Sequence, residues 1–310
     1  MAPHVEKTAV TRRPGFFIIG APKCGTTALS EYLRGHPQVF MCDPKEPHFF
    51  NFDHANRPTQ SVEQYLRLFR SAGTAHQAVG EASTRYLSST VAVDEILRFR
   101  PDARLIAMVR NPLDMAYSLH AQNVQEPLED ELDFERAWRL QGPRSAGAKV
   151  PATCAEPAHI LYGPVCLLGR QLECIMDRAR PEQLMTIVFD DFVRDTAGVY
   201  ANVLRFLQVE CDGRQNFPAT NQGRGIRSRW LHRWLLAGGA LKRRMGIRRG
   251  LGVYKLVNRF NSRYQARSPV SPEFQAELSR YFRADVLKLS SLLGRDLSGW
   301  LNGRGPGPKE

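Results

Sequence analysis

Residues 16–33, FFIIGAPKCGTTALSEYL, constrain this chain more than any other stretch. The run 16–20 is apolar without alternation, which predicts a short strand buried on both faces. It leads into a loop of glycine and proline that opens a helix, a junction suited to holding an anion. Gly20 and Gly25 let the backbone turn tightly and approach a ligand, and Thr26 and Thr27 add hydroxyls beside the open N–H groups of the helix start. The helix dipole attracts negative charge, and Lys23 can set an ammonium against phosphate oxygens. A glycine-rich turn with no ligand is the other reading of such a loop taken alone.

The spacing nearly matches the nucleoside-triphosphate loop G-x-x-x-x-G-K-[ST], but Thr26 follows the second glycine and the loop's lysine is Lys23. Moving the lysine argues for another phosphate geometry, with protein cations in place of a metal. Here the chain resembles the sulfotransferases that use 3'-phosphoadenosine 5'-phosphosulfate (PAPS), whose 5'-phosphosulfate loop reads much like Ala21-Pro22-Lys23-Cys24-Gly25-Thr26-Thr27.

A second motif lies at 104–124, RLIAMVRNPLDMAYSLHAQNV. An apolar strand over 105–109 ends at Arg110, Asn111-Pro112 starts a helix, and Ser118 falls about two turns into it. Ligands of doubly wound sheets bind at the carboxyl ends of the strands, so Arg110 and the 16–33 loop are expected to face one crevice. The planar arginine fork bonds two phosphate oxygens at once, and a serine hydroxyl can take a third. A strand-end arginine is also often a salt-bridge partner. The pattern Arg-Asn-Pro-x-Asp-x-x-x-Ser resembles the 3'-phosphate site of the same sulfotransferases, which implies that role for Arg110 and Ser118. A late Arg- or Lys-Gly segment holds the 3'-phosphate and adenine in that family, and Arg224-Gly225 is a weak match to it.

Between these motifs, 39–41 reads as a second strand leading into Asp43-Pro44-Lys45-Glu46-Pro47-His48-Phe49-Phe50. Two prolines around Lys45-Glu46 fix an extended loop and hold the glutamate on stiff backbone. A rigid carboxylate beside apolar rings suits a general base, because partial desolvation is expected to raise its pKa toward working pH. A surface Lys-Glu pair is the bland alternative. Carbohydrate-type PAPS sulfotransferases carry a similar Glu-x-His-Phe-Phe segment, which implies Glu46 as the base. His48 is the second candidate, with orientation of the loop as its simpler role.

Further strands are expected at 78–83, where Thr84 and Ala82 depart from the proline and lysine of many relatives, and at 184–189. Helices are expected at 61–70, 134–140, 167–179, 199–207 and 274–293, the last with a glycine stop at Gly294 and a packed Trp300, resembling the corresponding element of bacterial sulfotransferases. The alternation predicts an α/β, P-loop-like three-layer fold with a central parallel sheet flanked by helices. Residues 14–302 are expected to form one sulfotransferase domain between disordered tails at 1–13 and 303–310. Segment 128–157 reads as a long irregular lid or acceptor-binding loop.

Composition narrows the rest. With 310 residues and 43% hydrophobic content the chain can bury a large core. Its six cysteines have no C-x-x-C or zinc spacing, which favours reduced thiols and a cytoplasmic setting. Residues 1–15 lack the apolar core of a signal peptide, and no stretch has the roughly 18 apolar residues of a spanning helix. The net charge of +12 is local: the segment 213–272 has fourteen Lys and Arg and no acidic residue, so the remainder carries a net −2. Such an excess asks for an anionic partner. Three readings of this segment stay open: a solvated helical face with core tryptophans, peripheral contact with an anionic inner membrane face, or a cradle for an acidic acceptor. Nucleic acid is disfavoured, since no reading motif accompanies the charge.

The resemblance therefore implies an enzyme that moves a sulfuryl group from PAPS to a hydroxyl or amine of a sugar, lipid or natural product, releasing 3'-phosphoadenosine 5'-phosphate (PAP) and using no metal. Lys23 and the amides of Cys24, Gly25, Thr26 and Thr27 would bind the phosphosulfate. A nucleoside-triphosphate-dependent kinase and a non-enzymatic binder of anionic surfaces are the alternatives.

Overall fold

The computed structural model describes residues 12–54, 57–218 and 271–302, with the backbone of two short strands at Arg224–Ile226 and Ser262–Tyr264. Most of the basic segment, including Trp230 and Trp234, lies outside the described residues. So do the tails, except Arg12 and Arg13, which were expected in the first tail. Arg12 donates to the His76 carbonyl, and Arg13 lies 5.2 Å from the Phe99 ring centroid. Chain packing separates two compact units, one of residues up to Arg110 with Gln171–Pro218, the other of Asn111–Arg170 with residues from Ala219 onward.

The first unit holds a five-stranded parallel sheet: β1 (Phe16–Gly20), β2 (Val39–Met41), β3 (Ala78–Ala82), β4 (Arg104–Val109) and β5 (Leu184–Val188), in the order β2-β3-β1-β4-β5. Every residue of β1 and β3 is buried, the burial expected of central parallel strands covered on both faces. Helices α1 (Thr26–Arg34), α2 (Val62–Arg67) and α3 (Ala92–Phe99) follow β1, β2 and β3. After β5 the chain turns at once into two short helices, Phe189–Arg194 and Thr196–Leu207, so Phe189 belongs to a helix and not to the strand read at 184–189. Helix α3 falls in 84–103, where the sequence reading assigned nothing. Asp53 anchors its approach by accepting from Ser89 Oγ at 2.7 Å and from Thr90 N–H at 2.8 Å.

The second unit opens with α4 (Pro112–Gln125). Asn111 caps it by accepting from Leu113 N–H at 2.9 Å, with proline in the first turn as expected. A 22-residue helix, Pro272–Leu293, is capped by Ser271 and stopped by left-handed Gly294 (φ 59°). Its Phe274 and Phe282 pack with Phe134 and Trp138.

The segment 128–157 contains the helix expected at 134–140, and is more ordered around it than the irregular loop expected from its glycines and prolines. It carries helices Phe134–Arg139 and Gln141–Ser145 and is pinned by a fully buried ion pair. Arg144 bonds both oxygens of Glu129 at 2.6 Å, and Tyr162 Oη donates to the same carboxylate at 2.7 Å. Among the described residues no helix is long and apolar enough to cross a membrane, and none of the six cysteines is in a disulfide.

Candidate active site

Because the strands are parallel, their carboxyl ends share one edge, and the neighbours β3, β1 and β4 carry the three strongest sequence candidates there. The β1 end supplies the Lys23 loop. Gly20 has φ 149°, and a Cβ on it would lie 2.6 Å from the Thr84 carbonyl, so only glycine lets the loop leave the strand this close to β3. Gly25, at φ 91°, is the N-cap of α1. No side chain caps this helix and its first turn has no acidic residue, so its N–H groups and dipole face no competing carboxylate of their own turn. Lys23 is itself left-handed, with φ 64°.

Cys24 is fully buried and its thiol points inward, donating to the Pro22 carbonyl at 3.5 Å. Burial pushes this thiol up to about 12 despite Arg110 and Lys23 nearby. Cys24 can therefore meet an anion only through its backbone. Thr26 is buried and Thr27 half-buried.

At the β4 end, Arg110 Nη1 donates to the Lys23 carbonyl at 3.0 Å, and its guanidinium lies 4.5 Å from the Phe189 ring centroid. The strand-end arginine thus reaches the backbone of the lysine loop. Ser118 lies in α4, half-buried, in the second unit. Arg224–Ile226 forms an antiparallel pair with Ser262–Tyr264, and the side chain of Arg224 lies outside what the structure describes.

At the β3 end, Glu46 N–H donates to the Ala82 carbonyl at 3.0 Å, fastening the proline-bounded loop to the strand. Phe49 and Phe50 complete the anchor: Phe49 stacks on Tyr65 (4.6 Å) and Phe50 meets Phe17 and Tyr86 edge-on. Glu46 Oε2 accepts from Thr84 N–H at 2.8 Å and Thr84 Oγ1 at 3.2 Å and lies 3.0 Å from His48 Nε2, while Lys45 Nζ bonds Oε1.

This corrects the expected direction of the pKa. Burial does raise it, but the hydrogen bonds and charges of His48 and Lys45 outweigh burial and bring Glu46 down to about 2. His48 Nε2 faces the carboxylate, and its buried Nδ1 has no partner among the described residues.

The sequence reading gave no role to Glu81. This carboxylate is wholly buried in β3 and accepts from Tyr65 Oη (2.8 Å), Tyr86 Oη (2.9 Å) and Ser83 Oγ (2.6 Å). Burial dominates there and lifts it to about 7. The available signal was a lone charge inside a strand of otherwise apolar residues. Thr84 went unassigned as well, since its contact with Glu46 spans 38 residues of sequence.

The two carboxyls act oppositely on stability. Glu46, depressed below 4.5, stabilises the fold above that pH and loses its contribution as pH falls toward 2. Glu81, raised above 4.5, stabilises it below that pH and loses its contribution as pH rises through 7. Urea unfolding across pH 3–8 should show both slopes, with Glu46→Gln flattening the acid one and Glu81→Gln the other.

The family model described as "Sulfotransferase domain" matches residues 13–220. Human carbohydrate sulfotransferase 15 is 35% identical over 147 residues, covering 34% of this chain and 26% of that protein. Human heparan sulfate glucosamine 3-O-sulfotransferase 6 is 35% identical over 118 residues, covering 37% and 32%. The chain thus matches about a quarter to a third of the length of these curated relatives. The crystal structure of a sulfotransferase from Alicyclobacillus acidocaldarius superposes with a TM-score of 0.69 at 27% identity, over 93% of this chain and 99% of that one. With the loop lysine and the strand-end arginine at one sheet edge, and this match spanning both, the chain belongs to the sulfotransferase family.

Proposed function

We propose that this sulfotransferase takes its sulfuryl group from PAPS and passes it to a hydroxyl, or less readily an amine, of a small-molecule or carbohydrate acceptor. One observation carries the reading: Glu46, Lys23 and Arg110 stand at the carboxyl ends of three adjacent parallel strands. The α1 start and Lys23 offer an uncapped set of N–H donors and an ammonium that fit a phosphosulfate. Arg110 would take the 3'-phosphate at this edge, while the same role for Ser118 and the Arg224-Gly225 segment rests on the motif resemblance alone.

In the reaction the acceptor oxygen attacks sulfur, the bond from sulfur to the bridging phosphate oxygen breaks, and PAP leaves. Lys23 and the amides of Gly25–Thr27 neutralise charge gathering on that oxygen, and holding both ends of the donor aligns the displacement. Glu46 receives the acceptor's proton. Its low pKa keeps it ionised at neutral pH but makes it a weak base, so its contribution belongs at the low end of general-base catalysis, about 10²-fold. His48, through Nε2, holds that carboxylate in place. Carbohydrate is the favoured acceptor class because the relatives named above act on carbohydrate chains. Contact of the basic segment with an anionic membrane face, and a cytoplasmic location, remain proposals from composition alone.

The test is calorimetry with PAP, followed by transfer from ³⁵S-labelled PAPS to a panel of unsulfated heparan-type oligosaccharides, monosaccharides and phenols. Lys23→Ala should weaken PAP binding about tenfold or more and abolish measurable transfer. Transfer should be unchanged in EDTA. Activity lost in EDTA and restored by magnesium, or ATP bound more tightly than PAP, would overturn the reading.

A further inference from the structure

We propose that Glu81 is a positioning residue for sulfuryl transfer: its buried carboxylate, acting through the hydroxyls of Ser83 and Tyr86, fixes the backbone of His48 and Phe50 and with it the reach of Glu46. The inference rests on the reading of Glu46 as the base.

The chain of contacts is short and wholly inside the first unit. Ser83 Oγ–H donates to Glu81 Oε2, which turns an oxygen lone pair toward the backbone N–H of His48, received at 3.0 Å. Tyr86 Oη–H donates to Glu81 Oε1, and the same oxygen accepts the backbone N–H of Phe50 at 3.3 Å. Two amides of the catalytic loop thus end on hydroxyls whose orientation the carboxylate sets. The loop needs such anchors, because Glu46 and His48 both hold the left-handed conformation, at φ 64° and 48°, which side-chain-bearing residues rarely adopt. Tyr65 supplies the third donor from α2, so Glu81 ties α2, β3 and the loop to one point.

A neutral residue of the same shape would not do this. Three hydroxyl protons converge on an ionised acceptor, and a protonated acid or an amide has a hydrogen of its own to place. One hydroxyl must then turn away and give up its hold on the loop. The charged and titratable groups around Glu81 are His48 from the loop, Tyr65 from α2, Tyr86 beyond β3 and Cys42 after β2. His48 favours the ionised form and burial opposes it, leaving the group able to titrate near pH 7. Below that pH the anchors should loosen and turnover should fall.

The experiment compares wild type, Glu81→Gln and Ser83→Ala, with Glu46→Gln alongside. Transfer is measured with the best acceptor of the panel, PAP affinity by calorimetry, and the backbone amides of His48 and Phe50 by ¹H–¹⁵N spectra between pH 5.5 and 8.5. Glu81→Gln should lose about 10- to 100-fold in kcat with unchanged PAP affinity, since misplacing a reacting group costs turnover and not remote binding. Its acid limb near pH 7 should vanish. In wild type the two amide resonances should titrate together near pH 7, and in Glu81→Gln they should not move. Ser83→Ala, which keeps the carboxylate, should lose kcat and shift the His48 amide even if Glu81→Gln fails to fold. Wild-type turnover in the variants, equal losses of kcat and PAP affinity, or wild-type amides that stay fixed across this range would overturn the proposal. An active Glu46→Gln would sink the base assignment alone, because the amide titration judges Glu81 independently.

Discussion

Glu46→Gln is expected to lower turnover by about 10²-fold while PAP affinity stays within about twofold of wild type. The substitution keeps the shape of the side chain and removes the group that would accept a proton. It changes no residue of the phosphate loop, whose Lys23 carbonyl is held by Arg110. Glutamine can still accept from Thr84 and His48 through its carbonyl oxygen, so the loop should hold its place. Single-turnover transfer in the ³⁵S assay, with calorimetry on the same preparations, separates the two quantities. The same pair of measurements on His48→Ala compares the two candidates. A larger loss there than in Glu46→Gln, with PAP affinity intact, would make His48 the base and Glu46 the residue that orients it.

Arg144→Met should destabilise the protein by about 3–5 kcal/mol, the largest stability effect expected of any substitution away from the sheet edge. Arg144 and Glu129 are both fully buried and bonded through two oxygens, so removing the guanidinium strands a carboxylate in the interior. Among the described residues, the Tyr162 hydroxyl and the Glu131 N–H would still donate to it. The double variant Arg144→Met/Glu129→Leu should recover most of the loss, because no charge then remains to be buried. Urea unfolding of the two singles and the double gives the coupling directly. A double variant no more stable than Arg144→Met would mean that the loss comes from packing and not from the stranded charge. Such a loss would also undo the helices Phe134–Arg139 and Gln141–Ser145, whose connection runs past this pair.

Local grammar carried far in this chain. The apolar run before Gly20, the proline after Asn111 and the glycine at 294 each mark a boundary through backbone sterics or a capping bond to a close neighbour, and each falls where the structure has it. The five strands were readable as short, mainly apolar runs, and their parallel arrangement from their alternation with helices, even though β3 buries Glu81. The errors share a cause. Outside the expected helix at 134–140, segment 128–157 looks like a loop because its glycines and prolines are visible locally, whereas the Arg144–Glu129 bond that closes it spans 15 residues and is made in the interior. Strand β5 was read one residue too long because Phe189 is as apolar as the residues before it, although it begins a helix.

The class of chemistry was legible in the chain's short-range motifs. A displaced lysine in a strand–loop–helix junction and an arginine ahead of Asn-Pro mark the two places where the proposed donor would be gripped, since glycine conformations and helix starts are short-range properties. How the carboxylates behave depends on contacts made across the fold. Glu46 was expected to be raised by its apolar neighbours and is lowered instead, because Lys45, His48 and the distant Thr84 reach it. Glu81, invisible as a site, became the buried hub of three hydroxyls drawn from α2 and from the turn after β3. A residue's ionisation depends on the groups within a few ångströms of it in space, and the chain fixes those only once it has folded.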